Sequence, residues 1–264
     1  MSDDDERTAD ASPQALNKEI ARLRRRVGRL EDQLEQVDTY RDTNAKALNR
    51  VNEELAVEKA RSHALLLNVL PETIVERLDR GEELIADRYD DVAVVFSDFV
   101  GFTEISTRLE VSALVSSLNA LFSAFDAACA DLGVEKIKTI GDAYMAAAGL
   151  PGTSSEPVRA GADLALAMRA AVLEAGDPWQ VRIGLHTGPV VAGVIGTSKF
   201  VYDLWGDAVN VASRLETTAP AGQIQVSAAV ARALGDAYVL EPRGAVELKG
   251  KGSTETFLLM GRHG

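Results

Sequence analysis

A seven-residue repeat of apolar side chains near the N-terminus constrains this chain more than any other feature. The apolar positions follow one another in alternating steps of four and three, which predicts an α-helix with one narrow apolar stripe. The stripe consists of Leu16, Ile20, Leu23, Val27, Leu30, Leu34 and Val37, and its register continues through Arg41, Asn44, Leu48, Val51 and Leu55. Residues 14–60 are therefore predicted to form a coiled-coil dimerisation helix.

Charges beside the stripe indicate how two such helices would pair. In a parallel, in-register dimer Glu19 faces Arg24 of the other helix, and Arg26 faces Glu31 in the same way. Both pairs have opposite sign, which favours a parallel homodimer. The alternative is an amphipathic helix that packs on its own domain.

The rest of the chain divides into three further segments. Residues 1–13 are acidic, small and polar, and are predicted to be disordered. Residues 61–89 are predicted to be a linker with a short helix, for which Pro71 suits the first turn and Gly81 the end. Residues 90–264 are predicted to be one globular domain.

The globular part mixes hairpins with crossover helices, which predicts an α+β fold with a mainly antiparallel sheet and flanking helices. Strands are expected at 92–98, at 134–140 and at 142–149, with a turn at Ile140-Gly141. Helices are expected at 110–132, 156–176 and 207–218. The stretch from Val181 to Gly196 is predicted to be two strands separated by Gly188-Pro189.

Composition excludes several classes of function. The net charge of −12 opposes non-specific binding to nucleic acid or to an anionic membrane. The single cysteine, Cys129, cannot form an intramolecular disulfide and fits a reducing cytoplasm. No run of 18 apolar residues and no signal-peptide pattern occurs, so no membrane span is expected. If the chain is a fragment, an upstream membrane or sensor domain remains compatible with it.

Two aspartates stand at predicted strand ends. Asp98 ends the buried strand in "FSDFVGFT", and Asp142 directly follows the hairpin glycine in "KIKTIGDAYM". Carboxylates placed in this way suit hard divalent cations, although a turn-capping role would explain either residue alone. Gly101 permits close backbone approach, and the helix start at Phe102-Thr103 suits an anion.

A third polar group lies in "VYDLWGDAVNVASRLE". Asp203 sits among apolar residues, while Asn210 and Arg214 are four apart and share a helix face. An amide and a guanidinium on one face suit a sugar and a phosphate oxygen, but a surface pair is the alternative. Asp207 is predicted to cap this helix.

The last candidate is "LKGKGST" near the C-terminus. It is not a P-loop, yet Lys249 and Lys251 would suit a triphosphate. An exposed lysine hairpin explains the same residues, and the sequence leaves both interpretations open.

Taken together, "FSDFVGFT", "KIKTIGDAYM", "GPVVAGVIG" and "YDLWGDAVNVASRLE" resemble the class III nucleotide cyclase catalytic domain over residues 90 to 260. The segment around "LLNVLPETIVERL" is similar to the signalling helix and transducer of that family. The resemblance implies a ferredoxin-like domain that works as a homodimer, with active sites shared between subunits.

It also implies roles for the candidate residues. Asp98, Asp142 and the carbonyl of Phe99 would bind two Mg²⁺ or Mn²⁺ ions, and only the carbonyl of Phe99 is needed, although the family commonly has an aliphatic residue there. Lys138 and Asp203 of the other subunit would read the purine. Asn210 would orient the ribose, and Arg214 would stabilise charge on the α-phosphate. Lys249, with Lys251 as the alternative, would contact the terminal phosphates. The loop and helix start at Gly101, Phe102 and Thr103, identified above as suited to an anion, are the further candidates for binding the substrate.

Lysine at position 138 implies ATP rather than GTP, because guanylate-specific members carry an acidic residue there. The implied reaction is attack of the ATP 3′-hydroxyl on the α-phosphorus, giving 3′,5′-cyclic AMP and pyrophosphate. The alternatives are a guanylate cyclase, a catalytically inactive dimerisation or nucleotide-sensing module, and a coiled-coil scaffold.

Overall fold

The computed structural model describes residues 13–67, 69–196 and 199–263. The chain divides into two compact units, Met1–Leu65 and Leu66–Gly264. The predicted disorder at 1–13 falls almost entirely outside the described residues. The linker and domain boundaries at 60 and 89 remain predictions.

From residue 13 onward, the first unit consists of one long helix, α1, which spans Pro13–Leu66. At about 1.5 Å per residue its 54 residues extend about 80 Å. The predicted long helix is therefore present, and it ends later than residue 60. The apolar stripe is exposed along this helix: Leu34 is 63% exposed and Leu55 65%. An exposed apolar stripe of this length is typical of a helix that associates with another helix.

A short helix, α2, occupies Glu72–Asp79 and begins directly after Pro71, as predicted. Its Ile74 and Val75 are buried in the second unit. Arg77 ties the helix to the residues that come after it in the chain, since its guanidinium pairs with Glu82 at 2.5 Å and with Asp87.

The first half of the second unit is a ferredoxin-like βαββαβ core. Its elements are β1 (Ala86–Phe99), α3 (Phe102–Arg108), α4 (Val111–Leu132), β2 (Glu135–Ile140), β3 (Ala143–Ala148), α5 (Pro157–Ala175) and β4 (Val181–Ile195). These strands lie in the order β2-β3-β1-β4, and all of their pairings are antiparallel. The predicted fold class is confirmed.

The second half extends the sheet beyond β4. Its elements are β5 (Val201–Trp205), α6 (Asp207–Thr218), β6 (Ile224–Ser227), α7 (Ala228–Leu234), a 3₁₀ turn (Gly235–Ala237), β7 (Tyr238–Leu248) and β8 (Gly252–Arg262). β6 joins β4 in parallel, β8 and β7 lie beyond it, and β5 pairs with the other part of β4.

The predicted break at Gly188-Pro189 is wrong, because β4 runs continuously through it. Proline lacks a backbone N–H and is tolerated in a sheet only where no ladder bond is needed. β1 has a register shift between Tyr89 and Val92 opposite this point, so the ladder leaves Pro189 unpaired.

Both faces of the sheet are covered. Successive residues of β1 point to opposite faces. Ala93, Val95 and Phe99 pack in a core under α4 and α5, whereas Val94 and Phe96 pack in a second core under α2 and α6. Burial on both faces explains why "VAVVF" is continuously apolar.

By length and composition alone, α4 would qualify as a membrane span, the only described helix that does. Its Leu121, Phe125 and Cys129 are buried in the core under the sheet. Val111 and Val115 near its start are exposed. A helix of a globular domain can pass the same test, so this composition is weak evidence for a membrane span.

Candidate active site

The two predicted metal-binding aspartates meet where β1 ends and β3 begins. These strands are antiparallel neighbours with Ser97 opposite Tyr144, which places Asp98 beside the turn that carries Asp142. Partial burial and the carboxylate of Asp98 raise the pKa of Asp142, while hydrogen bonds from its own backbone and that of Phe99 oppose the shift. Two carboxylates that repel one another in this way favour a bound cation.

A basic and an acidic residue that the sequence did not single out complete this group. Arg182 of β4 donates from Nη2 to Asp98 Oδ2 at 3.0 Å, and its Nε lies 3.3 Å from Glu216 Oε1 of α6. Burial, and next the charge of Asp98, raise the pKa of Glu216 to about 7, while Arg182 opposes the shift. The sequence did hold a signal for these residues. Arg182 is a charged residue inside an otherwise apolar strand, and Glu216 lies on the apolar face of a helix.

The turn after β1 contains a glycine in a conformation that other residues rarely adopt. Gly101 has φ 66°, in the left-handed region that favours glycine, and immediately precedes α3. Its carbonyl accepts from the N–H of Ile105 at 3.0 Å. Phe102 is half-buried and Thr103 is exposed. The phosphate contacts of Gly101, Phe102 and Thr103 remain predictions.

Lys138 pairs with the residue that the resemblance placed beside it. Its Nζ lies 2.5 Å from Asp203 Oδ2, although the residues come from β2 and β5. Asp203 Oδ1 also accepts from the backbone N–H of Leu204 at 2.8 Å. The lysine side chain is 31% exposed and that of Asp203 14%. Lys138 therefore forms its ion pair with Asp203 rather than with Asp142.

Helix α6 presents the other predicted polar residues. Asn210 is exposed and Arg214 is half-buried. A Cβ placed on Gly250 would lie 3.9 Å from both terminal nitrogens of Arg214, so the β7–β8 turn lies next to this guanidinium. Val211 and Leu215 pack against Leu248 of the same hairpin.

The structure separates the two lysines of that turn. Lys251 pairs with Asp207 Oδ2 at 2.6 Å, whereas the Lys249 side chain is exposed. The predicted cap at Asp207 is wrong: Gly206 precedes the helix, Asp207 is its first residue, and the Asp207 side chain forms the pair with Lys251 instead of a cap. Lys249 remains the preferred candidate for a phosphate contact.

The arrangement is three polar groups on one chain: the Asp98–Asp142 pair with Arg182, the Lys138–Asp203 pair, and the exposed face of α6. Within residues 13–67, 69–196 and 199–263, no cluster of three or more acidic, histidine or cysteine side chains could hold a metal ion.

The chain belongs to the family of adenylate and guanylate cyclase catalytic domains, which matches residues 84–261. It is 48% identical over 218 residues to a protein named adenylate cyclase from Mycobacterium tuberculosis, covering 81% of this chain and 49% of that protein. The chain thus spans about half the length of this relative.

Solved structures of the family share the fold. The guanylate cyclase domain of RhGC from Catenaria anguillulae, in complex with GTP, aligns with TM-score 0.64 at 35% identity, covering 67% of this chain and 100% of that one. The adenylyl cyclase CyaB from P. aeruginosa aligns with TM-score 0.63 at 28% identity, covering 67% of this chain and 97% of that one. The expected class III cyclase resemblance is confirmed.

Proposed function

We propose that this protein is an adenylate cyclase, which converts ATP to 3′,5′-cyclic AMP and pyrophosphate. The observation that carries the proposal is the pairing of Lys138 with Asp203. An ammonium donor and a carboxylate acceptor placed together match N1 and the N6 amino group of adenine. Guanine presents the opposite polarity at both positions, N1–H and O6, so it would leave buried polar groups unpaired. The mycobacterial relative named adenylate cyclase agrees with this choice.

Asp98, Asp142 and the carbonyl of Phe99 would hold two divalent cations, Mg²⁺ or Mn²⁺. The donors fit, since hard cations prefer carboxylate and carbonyl oxygens and the carboxylate of Asp98 lies close enough to raise the pKa of Asp142. When bound, such ions lower the pKa of the attacking hydroxyl and neutralise the triphosphate.

The exposed face of α6 would act on the sugar and phosphate. Asn210 can donate to and accept from a ribose, which would orient the 3′-hydroxyl. Arg214 carries a fixed positive charge and would stabilise charge that develops on the α-phosphate, so its loss should reduce kcat more than binding. Lys249 would contact the terminal phosphates. No side chain is assigned as a general base.

The protein would act as a homodimer, with each pocket shared. The exposed apolar stripe of α1 supports pairing through a parallel coiled coil. Lys138 would serve one pocket and Asp142 the other. The helix pair would set the alignment of the two domains, so activity should depend on the coil. A cytoplasmic location fits this proposal, in which neither nucleic acid nor a membrane is a partner.

The direct test is an assay of the purified full chain with ATP or GTP, each with Mn²⁺ and with Mg²⁺. Cyclic AMP formed with ATP is expected. Preferential cyclic GMP formation would instead make the protein a guanylate cyclase. No cyclic product from a folded, dimeric sample would favour the inactive module.

The shared pocket is tested by mixing two inactive variants. Lys138→Ala and Asp142→Ala chains should each lack activity, and mixing them should restore it because one pocket of the heterodimer keeps every residue. Absence of recovery in confirmed heterodimers would refute sharing. A version that lacks α1 should lose activity at low protein concentration, and equal turnover per subunit there would refute the role of the coil.

A further inference from the structure

Glu216 is a buried acid that none of the proposed catalytic steps uses. It lies in the last turns of α6 and is 7% exposed. An isolated carboxylate at such a position is costly, so a buried acid needs a cationic partner. Arg182 is that partner, at 3.3 Å between Nε and Oε1.

The backbone fixes where Glu216 lies. A Cβ on Gly184 of β4 would collide with the backbone of Ala212 and Glu216, so α6 rests directly on the strand that carries Arg182. The other oxygen, Oε2, accepts from the Thr217 hydroxyl at 3.2 Å. The position of this carboxylate is therefore set by packing rather than by a flexible side chain alone.

One guanidinium is consequently shared between two acids. Arg182 donates to Asp98 Oδ2 through Nη2 and faces Glu216 through Nε. The Arg182 Nε and Glu216 Oε1 atoms are buried, and neither has a hydrogen bond of good geometry to any described residue. Charge rather than an aligned hydrogen bond thus holds this end of Arg182, while its other end occupies an oxygen that a cation would need.

We propose that Glu216 is a positioning residue that holds Arg182 partly away from Asp98 and so sets how tightly the Asp98–Asp142 pair binds a divalent cation. The inference rests on the proposed function in taking these aspartates as the metal site. A neutral side chain at position 216 leaves Arg182 with Asp98 as its one close acidic partner among the described residues. Arg182 then competes more strongly with the metal for that carboxylate.

The experiment is a double-mutant cycle with Mn²⁺ affinity as its readout. Free Mn²⁺ is titrated by electron paramagnetic resonance against the full chain without nucleotide, so no turnover is needed. The titration is run at about pH 8.5, where Glu216 is ionised because its pKa is about 7. Glu216→Gln should weaken binding about tenfold, which corresponds to about 1.4 kcal/mol. In an Arg182→Met background, the same change should alter the affinity by less than about twofold. Glu241→Gln removes an equal charge from an exposed position and should leave the affinity unchanged.

The same set of variants also shows whether a change in affinity comes from a loss of folding. Arg182→Met leaves Glu216 without its cation, so a loss of thermal stability is expected there and should be recovered in the double variant. Should Arg182→Met fail to fold, Arg182→Lys provides a second background. It keeps the charge but cannot bridge both acids, and the effect of Glu216→Gln should shrink to below about threefold there.

Each outcome decides the question. Equal weakening by Glu216→Gln in both backgrounds would show that Glu216 acts directly on the cation, and no weakening in the native background would show no role; either result overturns the inference. Asp142→Asn reports on the proposed function separately. If Asp142→Asn leaves Mn²⁺ affinity unchanged, the metal site is wrong and the inference falls with it.

Discussion

Reversing the polarity of the purine-reading pair should reverse the choice of nucleotide. The double variant Lys138→Glu with Asp203→Asn places an acceptor where guanine presents N1–H and a donor where it presents O6. The native pair is close, at 2.5 Å, and both side chains are less than a third exposed. Each contact therefore lies in a partly desolvated environment, where mismatches are costly.

The expected magnitude is the sum of these two contacts. A hydrogen bond to a charged group contributes roughly 1.5–3 kcal/mol, so two reversed contacts give about 3–6 kcal/mol. The ratio of kcat/KM for ATP to that for GTP should fall by roughly 10² to 10⁴. Measuring cyclic AMP and cyclic GMP from each nucleotide at several concentrations gives both values.

The single variants separate pairing from recognition. Lys138→Glu alone puts a second carboxylate next to Asp203, so repulsion should reduce activity with both nucleotides. Lys136→Glu is the matched control, because it makes the same charge change on β2, where Lys136 pairs with Asp126 at 2.8 Å. It should leave the nucleotide ratio unchanged. An active double variant that still prefers ATP by the native ratio would refute the assignment of Lys138 and Asp203.

Three further predictions concern the folded domain. Gly184→Ala should cost several kcal/mol of unfolding free energy, because the new Cβ would collide with backbone atoms rather than with a flexible side chain. Gly261→Ala should be tolerated, because a Cβ there has no atom within 4 Å. Urea denaturation compares the two variants. The pKa of Glu216 is raised from 4.5 to about 7, so between these pH values the folded metal-free protein keeps a proton that the unfolded chain releases. The unfolding free energy should therefore fall as pH rises across that interval, by up to about 3 kcal/mol. Glu216→Gln should flatten this decline, and an unchanged slope in urea titrations at several pH values would contradict the shift. Burial raises the pKa of Cys129 to about 11, so an aromatic disulfide reagent should modify it only after unfolding, and rapid reaction of the native protein would disprove this.

Local patterns predicted the elements whose signals lie within one segment. The heptad spacing identified α1, and continuous apolar residues followed by Asp98 identified β1. Gly141, with φ 64°, marked the β2–β3 turn correctly. Such features depend on periodicity and on backbone conformation, which a single segment displays.

The errors and omissions arose where a distant segment decides the outcome. Pro189 ends a strand by local rules, yet the irregularity in β1 opposite it removes the need for its missing N–H. The contact of Arg182 with both Asp98 and Glu216 requires the sheet order and the close approach of α6. Lys138 and Asp203 were placed together by family resemblance, because nothing in their separate strands indicates the pairing.

The separation of Lys138 from Asp142 has a consequence for mixtures of altered and unaltered copies. If pockets are shared as proposed, a copy defective at Asp142 alone would still complete one pocket with an unaltered partner. A copy defective at both residues would silence both pockets of every mixed pair. The first kind of lesion should therefore behave as partially recessive in a cell that carries both alleles, and the second as dominant.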